Sequence, residues 1–433
     1  MEAYSIIALL IALMLVLLAL GVWVGITLLM VALVAFVFFA DVPVGEVLPT
    51  ALWSTTANWP LTSLPLFIWM GEILFRTRLA EDMFRGLLPW VSAIPGRLLH
   101  VNILACGIFA AVSGSSAATA ATIGQMTLPE LKRRRYPEQI SMGSLAAGGT
   151  LGILIPPSIP MIVYGISAQV SIAKLFVAGV LPGIVLIGAF MAYTAGWSLL
   201  HRDRMPPREP ASNWRERLSS TRRLVPILLL IASVIGSIYS GIATPTEASA
   251  VGVLGSLLVA AATGSLTRRS LLDSLKGTMK MTCMIIFILA SASFLSTALA
   301  FLKLPATLAT YVVSLQLSPN LLLVALAVLF ILLGCFIDGI SMVVLTAAII
   351  LPIVERVGID LLWFGVFLIV MVEMANITPP VGFNLFVIQG ITGRDSLQVA
   401  RGAFPYFLIM CLFTVLITAF PSIVSTLPNL AFK

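Results

Sequence analysis

The chain has 433 residues, 60% of them apolar and 10% charged, with a mean hydropathy of +1.09; soluble domains carry roughly 25% charged residues, so an ordinary soluble fold is excluded. The net charge of +7 does not imply a nucleic-acid partner, because nearly all lysines and arginines sit in short segments between apolar runs, where they act as topology signals. Cys106, Cys283, Cys335 and Cys411 lie far apart in apolar stretches without metal-ligand or redox spacing and are expected to be small core residues.

Apolar runs predict membrane spans, in chain order, near residues 4–20, 22–40, 61–75, 141–170, 175–200, 224–240, 248–263, 279–302, 361–390 and 403–424. Many are about long enough to cross a hydrocarbon core of roughly 30 Å. The start, Met1-Glu2-Ala3-Tyr4, lacks the basic region of a cleavable signal and is expected to be retained. Two further apolar intervals, 98–131 and 320–352, are interrupted by Ser113-Gly114-Ser115-Ser116 and by Asp338-Gly339. Their halves are too short to span, so each is predicted to be a re-entrant hairpin whose tip is shielded by protein.

With the hairpins re-entrant, all but four of the 25 basic residues fall on one face, the exceptions being Lys174, Lys303, Arg356 and Lys433. The positive-inside rule makes that face cytoplasmic and puts both termini outside. Pro156-Pro157 recurs 223 residues later as Pro379-Pro380, and Ser115 is matched at the same offset by Asp338. The expected fold is therefore an all-α polytopic membrane protein of two repeats, 1–200 and 224–433, each with five spans and one hairpin. Five is odd, so the second copy starts on the opposite face and the repeats are inverted, an architecture typical of secondary transporters. Between them, 201–223 reads as a cytoplasmic linker rich in proline and arginine.

Chemistry is expected at the interruptions of the broken helices 141–170 and 361–390. In Gly148-Gly149-Thr150-Leu151-Gly152-Ile153-Leu154-Ile155-Pro156-Pro157-Ser158 the two prolines deprive the carbonyls of Gly152 and Ile153 of their helical donors. Pro379 and Pro380 do the same to Ala375 and Asn376. Backbone carbonyls with Ser, Thr, Asn and Asp oxygens are hard ligands, and sodium is the natural cation. Half-helix N-termini at the same breaks suit a carboxylate. A lone proline or glycine is ordinarily a kink or a packing site; four interruptions in two matched pairs indicate a shared function. Asp338, acidic within an apolar hairpin, reads as a cation ligand or a protonatable group.

Other polar residues carry less. Thr244-Pro245-Thr246-Glu247 reads as a capping box. Glu72 and Glu373 lie in or near spans, without a partner the sequence can name. Lys132-Arg133-Arg134-Arg135 is a topology anchor with anionic membrane lipid as a secondary contact. An intramembrane hydrolase would need Ser115 or Ser116 beside a histidine, and only His100 and His201 exist, both expected near the cytoplasmic face away from the hairpin tip. No Gly-x-x-x-x-Gly-Lys-Ser/Thr run is present, so an ATP-driven machine is not expected.

These stretches, with Ser113 through Ala120, Gly148 through Tyr164, Thr244 through Ala248, Asp338-Gly339 and Asn376 through Gly382, resemble the large membrane subunit of the tripartite ATP-independent periplasmic (TRAP) transporters over nearly the whole length. The resemblance implies a sodium-coupled, elevator-type importer of the bacterial inner membrane with scaffold and transport domains, and not an enzyme. It also implies two partners, a small membrane subunit of about four helices and a periplasmic binding protein that captures a small organic anion. Substrate would lie near Ser113 and Ser158. Sodium would be held by Ser115, Ser116, Gly149 and Thr150 in one copy and by Asp338, Gly339, Asn376 and Thr378 in the other. No small-subunit helices precede Tyr4, so that subunit is expected to be a separate chain. The competing reading is a stand-alone ion-coupled dicarboxylate carrier that needs no partners.

Overall fold

The computed structural model describes residues 3–40, 43–207, 213–314, 316, 318–334, 337–380 and 382–432. Met1, Glu2, Cys335, Arg208, Pro210, Val381 and Lys433, which enter the sequence reading, lie outside them. The first half runs α1 (Ala3–Ala19), α2 (Val24–Phe39), α3 (Val44–Thr56), a 3-10 turn (Trp59–Thr62), α4 (Ser63–Phe75), α5 (Leu79–Val91), α6 (Leu98–Ser113), α7 (Ser116–Arg133), α8 (Glu138–Thr150), α9 (Ile159–Ser167) and α10 (Ile172–Leu200). The second half runs α11 (Trp214–Thr221), α12 (Val225–Tyr239), α13 (Pro245–Ala262), α14 (Arg268–Phe301), α15 (Leu304–Ser314), α16 (Pro319–Gly334), α17 (Gly339–Ile349), α18 (Leu351–Arg356), α19 (Leu361–Asn376), α20 (Phe383–Thr392), α21 (Ser396–Ala419) and α22 (Ser422–Ala431).

Among the described residues four helices, α10, α13, α14 and α21, are long and apolar enough to cross a membrane alone. At 17 and 16 residues, α1 and α2 rise roughly 25 Å and fall near the lower limit for a span. The sequence reading needs adjustment at several ends. α14 begins at Arg268 rather than near 279, because the polar turn at its start is held by a capping box between Thr267 and Ser270. α21 covers 396–419 instead of 403–424, and α22 is a separate helix beyond it. α3 and α5 are too polar to read as spans; α5 carries Glu81, Asp82 and Arg85 on an otherwise apolar helix. The linker contains a short helix, α11, opened by a capping box between Asn213 and Glu216. Of the cysteines, Cys106 is buried, whereas Cys283 is exposed on the outer face rather than in the core.

The elements recur in order. α1, α2, α6, α8 and α10 begin 221 to 224 residues before α12, α13, α16, α19 and α21. Packing recurs too, and it does so reciprocally: α2 lies on α14 while α4 lies on α13, and α7 lies on α20 while α9 lies on α17. In each pair an element of one half meets an element of the other half, and the corresponding elements meet in turn.

Two features hold the middle of the molecule together. α8 and α21 meet glycine to glycine: a Cβ on Gly143 would collide with the backbone of Gly402, and one on Gly402 with the carbonyl of Gln139. Small residues let backbones approach where lipid offers no hydrophobic driving force between helices. Elsewhere the Trp69 indole N–H donates to the Ser274 hydroxyl at 3.2 Å, and Arg76, ion-paired with Glu72, also donates to the Asp273 carbonyl at 3.3 Å. Glu72 is thereby accounted for as a bracket between α4 and the polar start of α14.

Candidate functional site

Both breaks are interruptions of helix. α8 stops at Thr150 and α9 starts at Ile159; α19 stops at Asn376 and α20 starts at Phe383. Each break contains a cis peptide bond, Pro156-Pro157 and Pro379-Pro380. The hairpin tips are capped at the starts of their second helices. α6 ends with Gly114 in the left-handed region (φ 58°), which a glycine adopts without steric cost, and Ser115 caps α7. Asp338 caps α17, accepting from the backbone N–H groups of Ile340 at 3.0 Å and Ser341 at 3.2 Å.

The tips rest on the breaks. A Cβ added to Gly114 would lie 3.0 Å from the Pro157 carbonyl oxygen, and one added to Gly152 would lie 2.6 Å from Ser116 Cα and 2.7 Å from the Ser115 carbonyl oxygen. In the second copy, side chains on Gly334 and Gly339 would collide with Ala375 and Val372 of α19. Glycine is required at these points because backbone meets backbone or a neighbouring helix there.

The first break and tip converge on Ser116. Its hydroxyl stands 2.8 Å from the Gly149 carbonyl, 3.0 Å from Glu373 Oε2 and 3.1 Å from Asn384 Oδ1. Glu373 Oε1 accepts the Ile153 backbone N–H at 3.0 Å, and Asn376 Nδ2 donates to Oε2 at 3.3 Å. Gly149 and Thr150 are buried beside this cluster, although the Thr150 hydroxyl donates back to Ala147 at 2.6 Å. Ser113, at the base of the tip, shares a 2.6 Å hydrogen bond with Thr119, and Ser158 is fully buried at the N-cap of α9. Ser113 and Ser158 flank the Gly114–Pro157 contact and so face the same junction.

The second set is looser. Asp338, Gly339 and Thr378 are half-buried, and Pro379 and Pro380 are exposed, whereas Pro156, Pro157 and Ser158 are buried. Thr378 donates to the Met374 carbonyl at 2.6 Å, and Asn376 turns toward Glu373 in the first cluster. Asp338 binds its own helix start, with the Ser341 hydroxyl donating to it. Both sets are built around hydroxyl, carboxylate and backbone carbonyl oxygens, which are hard donors.

Sequence reasoning noted Glu373 without a partner and gave neither it nor Asn384 a role at the site. Their partners lie 220 to 268 residues away, so no local spacing reveals them; the only available signal was an acidic residue inside an apolar run. Other expectations can be placed. Thr244 and Glu247 form the reciprocal capping box that opens α13. His100 Nε2 lies 2.6 Å from the Pro95 carbonyl at the start of α6, while Ser113 ends that helix, roughly 20 Å away at 1.5 Å per residue. The His100 that the hydrolase reading would need therefore lies far from the tip serines.

Helices broken at mid-chain against two short hairpins, in a chain this apolar, define a multi-pass transport protein of the membrane. The family model for the tripartite ATP-independent periplasmic transporter, DctM component, matches residues 11–423, and the chain belongs to that family, the TRAP large permeases. It is 35% identical over 383 residues, 87% of this chain and 88% of the other, to the C4-dicarboxylate TRAP transporter large permease protein DctM of Pseudomonas aeruginosa. It is 32% identical over 413 residues to the isethionate TRAP transporter permease protein DctMQ of Oleidesulfovibrio alaskensis, covering 94% of this chain and 64% of that longer one. In fold it is similar to the Alcanivorax borkumensis YdaH transporter, with a TM-score of 0.63 over 88% of this chain and 89% of the other at 13% identity.

Proposed function

We propose that this chain is the large transmembrane subunit of a sodium-coupled, binding-protein-dependent secondary importer of small organic anions in the bacterial inner membrane. The observation that carries the reading is the pair of matched helix breaks, each packed against a hairpin tip and lined with backbone, hydroxyl, amide and carboxylate oxygens. Such breaks supply carbonyl oxygens for a cation and half-helix N-termini for an anion in one place. Sodium is held by Ser115, Ser116, Gly149 and Thr150 in the first copy, and by Asp338, Gly339, Asn376 and Thr378 in the second. The anion lies near Ser113 and Ser158, at the junction of the first tip and the first break.

The two copies are inverted, with both termini periplasmic; the lysine and arginine distribution and the reciprocal packing support this. The hairpins and broken helices form the moving transport domain of an elevator, and α1–α4 with α12–α14 form its scaffold. Partners are a small four-helix membrane subunit and a periplasmic substrate-binding protein, in keeping with the tripartite description of the family. Membership in that family weighs against the stand-alone carrier. The relatives' names, C4-dicarboxylate and isethionate, both small organic anions, support this substrate class.

The test is reconstitution of the chain with its partner proteins in proteoliposomes, and uptake of a panel of radiolabelled dicarboxylates and related acids. Accumulation that needs both an inward sodium gradient and the binding protein is expected. Uptake of equal rate without sodium would overturn the coupling, and equal uptake without the binding protein would favour the stand-alone carrier.

A further inference from the structure

Glu373 has no role in the cation assignment above, yet it is the most constrained carboxylate in the molecule. It is fully buried, and among the described residues no lysine, arginine or histidine pairs with it. Its contacts are the Ile153 backbone N–H, the Ser116 hydroxyl and the Asn376 amide. An isolated charge buried in apolar surroundings is costly unless a positive species balances it.

The count of donors around Ser116 makes the same point independently. One hydroxyl carries one proton, and three oxygens, Gly149 O, Glu373 Oε2 and Asn384 Oδ1, stand within 3.1 Å of it. At most one of them receives that proton. The Asn384 Nδ2 in turn donates to Ser116 Oγ at 2.9 Å, but two of the three oxygens still go without the hydroxyl's proton, and the oxygens gathered here come from α7, α8, α19 and α20. Close approach is built in: a Cβ on Gly149 would lie 2.9 Å from Asn384 Nδ2 and 2.9 Å from Ala120 Cβ.

We infer that Glu373, with Asn384, completes the first cation site as its anionic ligand, so that the site is shared between the repeats instead of belonging to the first alone. This rests on the sodium reading above and adds to it a carboxylate from the opposite repeat. The cation sits among Ser116 Oγ, Gly149 O, Glu373 Oε2 and Asn384 Oδ1, and the negative charge of Glu373 is what makes a monovalent ion preferable to a water there. In consequence a filled first site pins α19 and α20 of the second repeat to the first hairpin tip.

The experiment is thermal unfolding of the purified full-length chain across a sodium chloride series, with choline chloride holding ionic strength constant. The native chain is expected to gain melting temperature with sodium. Glu373→Gln keeps the side-chain shape and removes the charge. Its melting temperature without sodium should equal or exceed the native value, because no unbalanced charge is left buried, while its half-saturating sodium rises about tenfold or more, the equivalent of one lost charged contact. Asn384→Ala, which leaves the carboxylate in place, should also weaken the sodium response and serves if the first variant does not fold. A native sodium response in Glu373→Gln would overturn the inference, meaning that the carboxyl is neutral in the native protein, and would leave the sodium reading standing on the other ligands. A native chain that ignores sodium altogether would remove both.

Discussion

Asp338 separates two jobs that one carboxylate can do. It caps α17 through the Ile340 and Ser341 N–H groups, and asparagine caps about as well as aspartate. Asp338→Asn should therefore leave stability within a few tenths of a kcal/mol and abolish sodium-stimulated uptake, whereas Asp338→Ala should in addition lose about 1 kcal/mol of helix stability. Wild-type sodium dependence of uptake by the asparagine variant would reject Asp338 as a coupling residue. Gly152 makes a different demand. A methyl there meets the backbone of Ser115 and Ser116 at 2.6 to 2.7 Å, and backbone cannot rotate aside, so Gly152→Ala should cost about 1–3 kcal/mol and lower uptake by shifting the tip; the melting temperature and transport rate measure the two effects. Asp338, Asn376 and the serines at the tip were legible because each sits at a local interruption. Glu373 and Asn384 were not, since what gives them meaning is contact across more than two hundred residues.

At the scale of helices, the breaks and tips were readable because proline and glycine act on their own neighbours. The amphipathic helices α3, α5 and α11 escaped because a hydropathy window asks only whether a segment spans. The meeting of α8 with α21 depends on a glycine from each, so Gly402→Val should separate them and lower the melting temperature markedly, while valine at Gly188 or Gly196 of α10, where a Cβ meets nothing within 4 Å, should be mild by comparison. At the C-terminal end of α7, Glu130 accepts from Arg134 Nε at 2.6 Å and Arg133 Nη2 at 2.7 Å. Burial raises the Glu130 pKa, but the bonds and charges of Arg134 and Arg133 outweigh it and hold the carboxyl below its usual range. The sign follows: a depressed carboxyl stabilises the fold above the unfolded-state pKa, and that contribution disappears as pH falls through the folded one. Melting curves taken from pH 7 downward should show the native chain losing this increment in acid, and Glu130→Gln should lack it at every pH.

For the whole molecule, elements recur at 221 to 224 residues and the recurring elements also make corresponding contacts across the halves. The breaks are nevertheless covered unequally, the first proline pair buried and the second exposed. Orientation is open to direct measurement. In a chain freed of its own cysteines, Lys174→Cys and Lys303→Cys should react with an impermeant thiol reagent added to the periplasmic side, and Arg215→Cys only after permeabilisation. The reverse pattern would turn the topology over.

The bond from Ile153 to Glu373 has a consequence for how the chain is made. Its acceptor is encoded 220 residues downstream, and at about 5–20 residues per second the ribosome needs roughly 10 to 40 s to deliver it. For that interval the nascent first half exists with a polar gap it has no means of closing alone. Until the second half arrives the Ile153 N–H needs water or another acceptor, so the first half expressed alone should be less resistant to protease than the same segment in the full chain.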